Sequence, residues 1–236
     1  MNRFLLFSLF ACLFVSGGAV GQAADVKGLK LVQTHIFFGK SEVLLARSGI
    51  RVTNQGQFGY VLVSSAPEWK VTVFRTDDKT FDTESLDQFE QNGLVSDYHF
   101  SFRDRSFAAP ACDFKIGGIP AKRISGPRLV FEYLPQSTVQ PQIERITYGM
   151  YKLATQGGFP LTFRSFGSGK DWLTGEDNSK RLRTFLSTQE IERVVIDSAV
   201  FLVPKSFKKV DSMLEVLSSS RRRKETTSSF GDLFGK

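Results

Sequence analysis

Hydrophobic and polar residues alternate along the first half of the chain, in short runs that end at turn residues. From residue 28 to residue 82 this pattern predicts five strands, with turn signals about every 10–15 residues. In the clearest run, Trp69, Val71 and Val73 occupy every second position, the period expected for a strand with one buried face. Connections this short predict antiparallel pairing, because parallel strands need a crossover of about a dozen residues or more.

The period then changes to that of a helix. Thr83 is placed to cap a short helix that buries Leu86 and Phe89 and ends at Gly93. The segment 94–111 that follows has no regular pattern. Long segments of this kind in compact domains are often binding loops or lids, so we expect a mobile cover here.

The clearest helix begins at Pro141, a residue that suits the first turn. Apolar residues then recur at helical spacing and predict one buried face, formed by Ile143, Ile146, Met150 and Leu153. The glycine pair Gly157–Gly158 is expected to stop this helix.

Strand patterns occupy most of the remaining second half. Leu129, Phe131 and Tyr133 alternate in one of them. Three more strands or strand pairs are predicted in 158–166, 180–188 and 190–204, and a short closing helix in 206–217.

The first residues have the features of a secretory signal peptide. Arg3 gives a short positive region, residues 4–15 are apolar, and Ala19 and Gly21 supply small residues at the cleavage positions. The apolar run is shorter than the roughly 20 residues that cross a bilayer, which favours cleavage near Gly21 over a retained anchor.

These boundaries predict three regions. We expect a signal peptide at 1–21, one domain at 22–217, and a basic, disordered tail at 218–236. The mature protein would be periplasmic or secreted, and no second apolar stretch is long enough to form a transmembrane span.

After cleavage Cys112 is the single cysteine, so no internal disulfide can hold the domain. The core must carry its stability, and the 23 phenylalanines provide ample apolar material. This composition fits two interiors equally: a fully packed core, or one left partly open as an apolar cavity.

The formal charge of +7 is concentrated near the end of the chain. The segment 221–236 holds five cations and two acids. Recognition of nucleic acid requires a dense basic stripe on the folded part, and the sequence has none, so a nucleic-acid partner is not expected.

Residues with catalytic or metal-binding potential are few and scattered. His35, His99 and Cys112 lack the converging spacing of a zinc or copper site, and nothing near them would orient a Cys–His catalytic pair. The run 165–170 lacks the spacing of a strained serine nucleophile turn and predicts a loop. We therefore expect no enzyme activity, no metal and no cofactor.

The stretch IGGIPAKRI at 116–124 allows two interpretations. Adjacent glycines beside Lys122 and Arg123 could form a phosphate cradle, but the glycine spacing differs from that of known phosphate loops and Pro120 removes a backbone donor. A tight turn or bend between two strands is the better interpretation.

Several of these elements together resemble the exported LolA/LolB-like superfamily of lipoprotein carriers. The resemblance covers residues 30–212 and is carried by the strand-rich first half, the turn IGGIPAKRI and the ending FLVPKSFKKV. It implies an α+β fold, in which a strongly curved antiparallel sheet, an incomplete β-barrel, is covered on its concave side by two or three helices.

The resemblance also implies a cavity that takes acyl chains, gated by an arginine. Arg47 and Arg51 are candidates for that arginine, and the sequence does not decide between them.

The leading hypothesis is a non-enzymatic protein that binds an apolar ligand or lipid acyl chain in the concavity of such a sheet. Its expected lining consists of Trp69, Val71, Phe131, Tyr133, Ile146, Met150 and Phe163. The competing interpretation is that these are ordinary core residues. The alternative function is an interaction protein of the cell envelope, which docks on a surface or protein partner through Arg221, Arg222, Arg223 and Lys224.

Overall fold

The computed structural model describes residues 25–94, 106–166 and 182–218 of the 236-residue chain. The expected signal peptide and nearly all of the expected tail lie outside these ranges. Within them, the chain forms one open sheet of 12 strands together with three α-helices, an α+β architecture.

The strands are β1 Asp25–His35, β2 Gly39–Ala46, β3 Gly49–Asn54, β4 Val61–Ser65, β5 Val71–Arg75, β6 Thr80–Glu84, β7 Cys112–Ile116, β8 Ile119–Gly126, β9 Leu129–Leu134, β10 Phe159–Phe166, β11 Leu182–Asp197 and β12 Lys208–Lys209. The helices are α1 Leu86–Asn92, α2 Pro141–Tyr151 and α3 Met213–Leu217, and a 3-10 turn spans Ser198–Phe201.

Two meanders meet in the middle of the sheet. The spatial order is β12-β6-β5-β4-β3-β2-β1-β11-β10-β9-β8-β7. The neighbours are antiparallel, as the short turns predict, except that β12 runs parallel to β6. The sheet does not close into a barrel, because β12 and β7 stand at its two edges.

The two meanders are joined by β11, which has 16 residues and pairs with β1 on one side and β10 on the other. The sequence pattern divides this region into separate strands, whereas the structure has a single long one. Its register shifts opposite Gln33 and opposite Arg164, and such bulges bend a strand and increase its twist.

After β11 the chain crosses the outer face of the first meander. A Cβ atom on Gly49 would lie 3.0 Å from the Phe201 ring, and the ring of Phe207 is 5.5 Å from that of Phe74. The chain then forms β12 beside β6 and returns to the core side as α3. This crossing explains why β5 is buried along its whole length rather than on one face.

The first meander has six strands where the pattern predicts five, because β6 is short and contains two acidic residues that weaken its signal. Thr83 belongs to this strand, where its hydroxyl lies 2.8 Å from that of Thr72. The N-cap of α1 is therefore Ser85 rather than Thr83. Its Oγ accepts a hydrogen bond from Gln88 N, and the Gln88 side chain bonds back to Ser85 N.

The helix α2 has the predicted start and the predicted buried face. Pro141 occupies its first turn, and Ile143, Ile146 and Met150 are buried on it as predicted. Leu153 is buried too, but it lies beyond the end of the helix. The helix ends at Lys152, in the left-handed region with φ 50°, before Gly157–Gly158 is reached. The Nζ of Lys152 donates to Glu90 O and Gln91 O at the end of α1, which favours this early stop.

The helices α1 and α2 pack directly against each other. Arg145 forms ion pairs with Asp87 and Glu90, and Gly149 lies against the Phe89 ring. Since α1 follows β6 and α2 follows β9, this contact links parts of the chain that are far apart in the sheet order.

Below the helices lies one continuous apolar core, to which both meanders and all three helices contribute. His35 is buried within it. The His35 ring stacks on Tyr151 at 5.0 Å, and its Nδ1 accepts hydrogen bonds from Phe37 N and Phe38 N. Burial lowers the pKa of His35 to about 4.

We predict that Gly149→Val destabilises the protein by about 1–3 kcal/mol, because a Cβ there would lie 2.9 Å from the Phe89 ring and from Phe89 O. The matched control is Gly126→Val, since a Cβ on Gly126 has no neighbour within 4 Å. We expect the control to stay within about 0.5 kcal/mol of the original protein in urea denaturation. Equal losses in both variants would contradict close packing of α1 on α2.

We predict that stability falls as the pH drops from about 6.5 to about 4, in part because of His35. Between these two pH values the His35 side chain is protonated in the unfolded chain and neutral in the folded protein. The difference between the two pKa values corresponds to about 3 kcal/mol. In urea denaturation, His35→Asn should make the pH dependence flatter within this window. An unchanged slope would show that His35 is not the titrating group.

Candidate functional site

An open cleft of about 750 Å³ lies at one end of the core. The start of β1, the end of β2 and the second half of β11 form one side of it, and the start of β8 and the β9–α2 loop form the other. We call it the cationic cleft, and its lining residues are Lys27, Gly28, Leu29, Leu45, Ala46, Arg47, Ile119, Pro120, Ser137, Thr138, Arg193, Val194 and Val195.

The bottom of the cleft is apolar. Leu29, Leu45 and Ile119 line it and are themselves buried, so they belong to both the cleft and the end of the core. Val195 lies further out and is 68% exposed. Leu29, Leu45 and Ile119 are only 2–7% exposed, so the cleft combines a narrow apolar bottom with the exposed side chain of Val195.

The β7–β8 turn directly precedes Ile119 and Pro120, which line the cleft at the start of β8. Gly117 and Gly118 have φ values of 54° and 76°, the left-handed conformation that glycine adopts at little cost. A Cβ on Gly117 would lie 2.7 Å from Ile191 O, so the turn rests against β11. This confirms the interpretation of IGGIPAKRI as a turn between strands, and its role here is to shape the cleft.

The β9–α2 loop contributes Ser137 and Thr138 to the same side of the cleft. Thr138 N donates to Pro135 O at 2.8 Å, and Val139 is buried, so the loop is anchored next to the residues that line the cleft. A second cavity of about 300 Å³ shares Arg47, Ser137 and Thr138 with the cleft and extends to the start of α2.

Three cations surround the apolar bottom. Lys27, Arg47 and Arg193 are exposed, and the described residues that line the cleft include no aspartate or glutamate. Within residues 25–94, 106–166 and 182–218, none of the three forms an ion pair.

Sequence reasoning considered Arg47 and missed Lys27 and Arg193. A signal was present, because each of these cations adjoins an apolar series at alternate positions of a strand. Lys27 precedes Leu29 and Leu31, Arg47 follows Val43 and Leu45, and Arg193 follows Ile191. What the sequence lacks is the register that brings the three series to the same end of the sheet.

The seven residues expected to line a ligand cavity are all at most 8% exposed and belong to the main core. The Phe131 ring lies 5.8 Å from that of Phe163 and 5.2 Å from that of Tyr133. Trp69 precedes β5, in a turn with φ 51°, rather than lying on the strand. None of the seven lines the cationic cleft, and their role in ligand binding stays a prediction.

The expected cover loop is described only from residue 106. Phe107 pairs with the Gln156 side chain through both its N–H and its carbonyl group, and its ring packs on Phe131 and Phe163. This part of the segment therefore closes the core at its surface. His99 lies outside the described residues.

Arg51 and Cys112 lie away from the cleft. The Arg51 side chain donates to Val200 O at 2.8 Å below the chain crossing, and burial lowers its pKa. The exposed thiol of Cys112 donates to Arg123 O. The described residues contain no group of His, Cys, Asp or Glu that could hold a metal ion. None of the helices within those ranges has the length and apolar character needed to cross a bilayer.

No protein-family model matches the chain, and no curated protein matches it. The solved structures that are similar to it include the following two. An uncharacterized conserved protein from Thermus thermophilus is 12% identical with a TM-score of 0.40, over 78% of this chain and 90% of that one. A LolA superfamily protein from Nitrosomonas europaea is 10% identical with a TM-score of 0.26, over 76% of this chain and 90% of that one. The likeness to this superfamily is weak, and the cleft is interpreted from its own residues.

We predict that Met150→Ala lowers the free energy of unfolding by about 2–5 kcal/mol, because Met150 fills a packed site on α2. Met150→Leu keeps the volume and should cost less than about 1.5 kcal/mol. Urea denaturation of both variants measures the difference. A negligible loss for Met150→Ala would show that the side chain borders open space, as a ligand cavity in the core requires.

Proposed function

We propose that this protein is an exported, non-enzymatic protein that binds a lipid or other apolar ligand in the cationic cleft. The observation that carries this proposal is the cleft itself, an open space of about 750 Å³ whose bottom consists of Leu29, Leu45 and Ile119. Ligand pockets usually measure about 300–1,000 Å³ and combine apolar walls with a few polar groups, as this one does.

An acyl chain fits the chemistry of the bottom of the cleft. Each methylene group removed from water contributes about 0.8 kcal/mol, so a chain of modest length gains enough to bind without specific hydrogen bonds. The accessible cleft also makes it unnecessary to open the packed core, where Phe131, Tyr133 and Phe163 already contact one another.

The proposal includes the finer architecture of a curved sheet with helices on its concave side. Two contacts support it. The helices α1 and α2 follow distant strands and yet pack together through Arg145 and Gly149. The β7–β8 turn reaches Ile191 of β11 although β9 and β10 lie between those strands in the sheet order.

The lining of the cleft favours binding over catalysis. Among the described residues it includes no histidine, cysteine, aspartate or glutamate, the side chains that most often transfer protons or attack substrates. Ser137 and Thr138 supply its hydroxyl groups, with no histidine among the described lining residues to activate them.

We expect a fluorescent fatty-acid analogue to bind the protein, and Thr138→Trp to weaken that binding about tenfold or more by filling the cleft from its wall. The matched control is Thr76→Trp, in the exposed turn between β5 and β6. Both residues are exposed, so stability should change by no more than about 0.5 kcal/mol. Fluorescence titration of the three proteins measures the affinities.

The possible results distinguish where the ligand binds from whether it binds at all. Equal affinity of Thr138→Trp and Thr76→Trp for the analogue would show that the ligand does not bind in the cleft. The proposed function would be overturned if the original protein did not bind the analogue and if native mass spectrometry of the protein, purified from the cell envelope of its own organism, showed only the mass without ligand.

A further inference from the structure

The three cations of the cleft are held close together by strand register. In the β1–β11 pair, Lys27 faces Val195 and Leu29 faces Arg193, so Lys27 and Arg193 are diagonal neighbours on one face. Diagonal neighbours of an antiparallel pair have their Cβ atoms about 7–8 Å apart or less. In the β1–β2 pair, Gly28 faces Ala46, which places Arg47 next to Lys27 on the other side.

This arrangement is unfavourable in the absence of a counter-charge. Lys27 and Arg193 are like charges at diagonal positions within reach of long side chains, and no acid is among the described residues that line the cleft. The two acids of this face in the β1–β11 pair, Asp25 and Asp197, face each other beyond the lining. A partner that brings negative charge into the cleft would relieve the repulsion between the cations.

The opposite face of the same three strands is arranged differently. There Lys30 of β1 lies between two acids, at 3.5 Å from Glu42 of β2 and 3.7 Å from Glu192 of β11. The pairing with these carboxylates, Glu42 above all, raises the pKa of Lys30. The same strands thus pair their cation with two acids on one face. On the face of the cleft, Lys27, Arg47 and Arg193 form no ion pair with a described residue, although Asp25 and Asp197 face each other one alternate position beyond Lys27 and Val195.

We propose that the cationic cleft selects single-chain amphiphiles with an anionic headgroup, which Lys27, Arg47 and Arg193 hold while the acyl chain lies on Leu29, Leu45 and Ile119. This rests on the proposed function and names its ligand class. Two of the three cations are arginines, whose planar guanidinium groups bind carboxylate and phosphate through paired hydrogen bonds.

Both halves of such a molecule are needed to use the whole cleft. A free anion would contact the cations and leave the apolar bottom exposed to water. A neutral apolar molecule would cover the bottom and leave the three like charges unbalanced. A polyanion would require a basic stripe that continues beyond the cleft, whereas these cations are confined to its rim.

The test compares hexadecanoate with hexadecanol, which share a chain length and differ in the charge of the headgroup. At a pH at which the acid is ionised, calorimetry should give at least about tenfold tighter binding of hexadecanoate to the original protein. This preference should shrink as salt is added, because the cations are exposed and their attraction is screened.

The decisive variant is the triple substitution Lys27→Ser, Arg47→Ser and Arg193→Ser. It should bring the ratio of the affinities for hexadecanoate and hexadecanol close to one. Its control removes the same charge outside the cleft, through Lys205→Ser, Lys208→Ser and Lys209→Ser, and should keep the preference. The single variant Arg47→Gln, which retains the other two cations, should reduce the preference by a smaller factor.

The outcomes distinguish this inference from the function on which it depends. Equal binding of both compounds to the original protein, still blocked by Thr138→Trp, would overturn the headgroup selectivity and leave the lipid-binding function intact. Binding of neither compound would overturn the function itself. If inorganic phosphate bound as tightly as hexadecanoate, the cleft would be a site for anions alone, and the inference of an amphiphilic ligand would be overturned.

Discussion

The pairing of β11 with β1 is the constraint on which the rest of the molecule depends. It joins a meander built from the first part of the chain to one built from the second, and the order of all 12 described strands follows from it. The pairing also brings a polar side chain into the core. Gln33, at the register shift, donates to Pro160 O and Thr188 Oγ1 and accepts from the Tyr151 hydroxyl. A buried amide is tolerated because its hydrogen bonds are made.

The same pairing determines the electrostatics of the cleft. Since side chains alternate between faces, a register that directs Leu29 and Leu31 to the core also directs Lys27 to the end of that face. A shift of one residue would exchange the faces, so that Lys27 would leave the face of the cleft and Leu29 and Leu31 would leave the core. The cluster of cations is therefore a consequence of register, held in place by the burial of the core.

Local chemistry made part of this structure predictable. The buried face of α2 follows from helical spacing, and the turn at Gly117–Gly118 follows from the need for left-handed backbone. The N-cap of α1 is harder to predict, because Thr83 and Ser85 can both cap a helix. The pairing of β6 with β5 decides between them. The cleft was beyond local reasoning, since five separate segments form it.

The position of the cleft at the end of the core has a physical rationale. Core side chains pack at the density of organic crystals, so admitting a chain among Phe131, Phe163 and their neighbours would require breaking many contacts. At the end of the core, Leu29, Leu45 and Ile119 retain their packing and line the cleft with the small part of their surface that stays accessible. Charge can gather there as well, because the rim is open to water and the desolvation of Lys27, Arg47 and Arg193 is small. The boundary between core and solvent is thus where this fold can hold an apolar chain and a charged group in one ligand without weakening its interior.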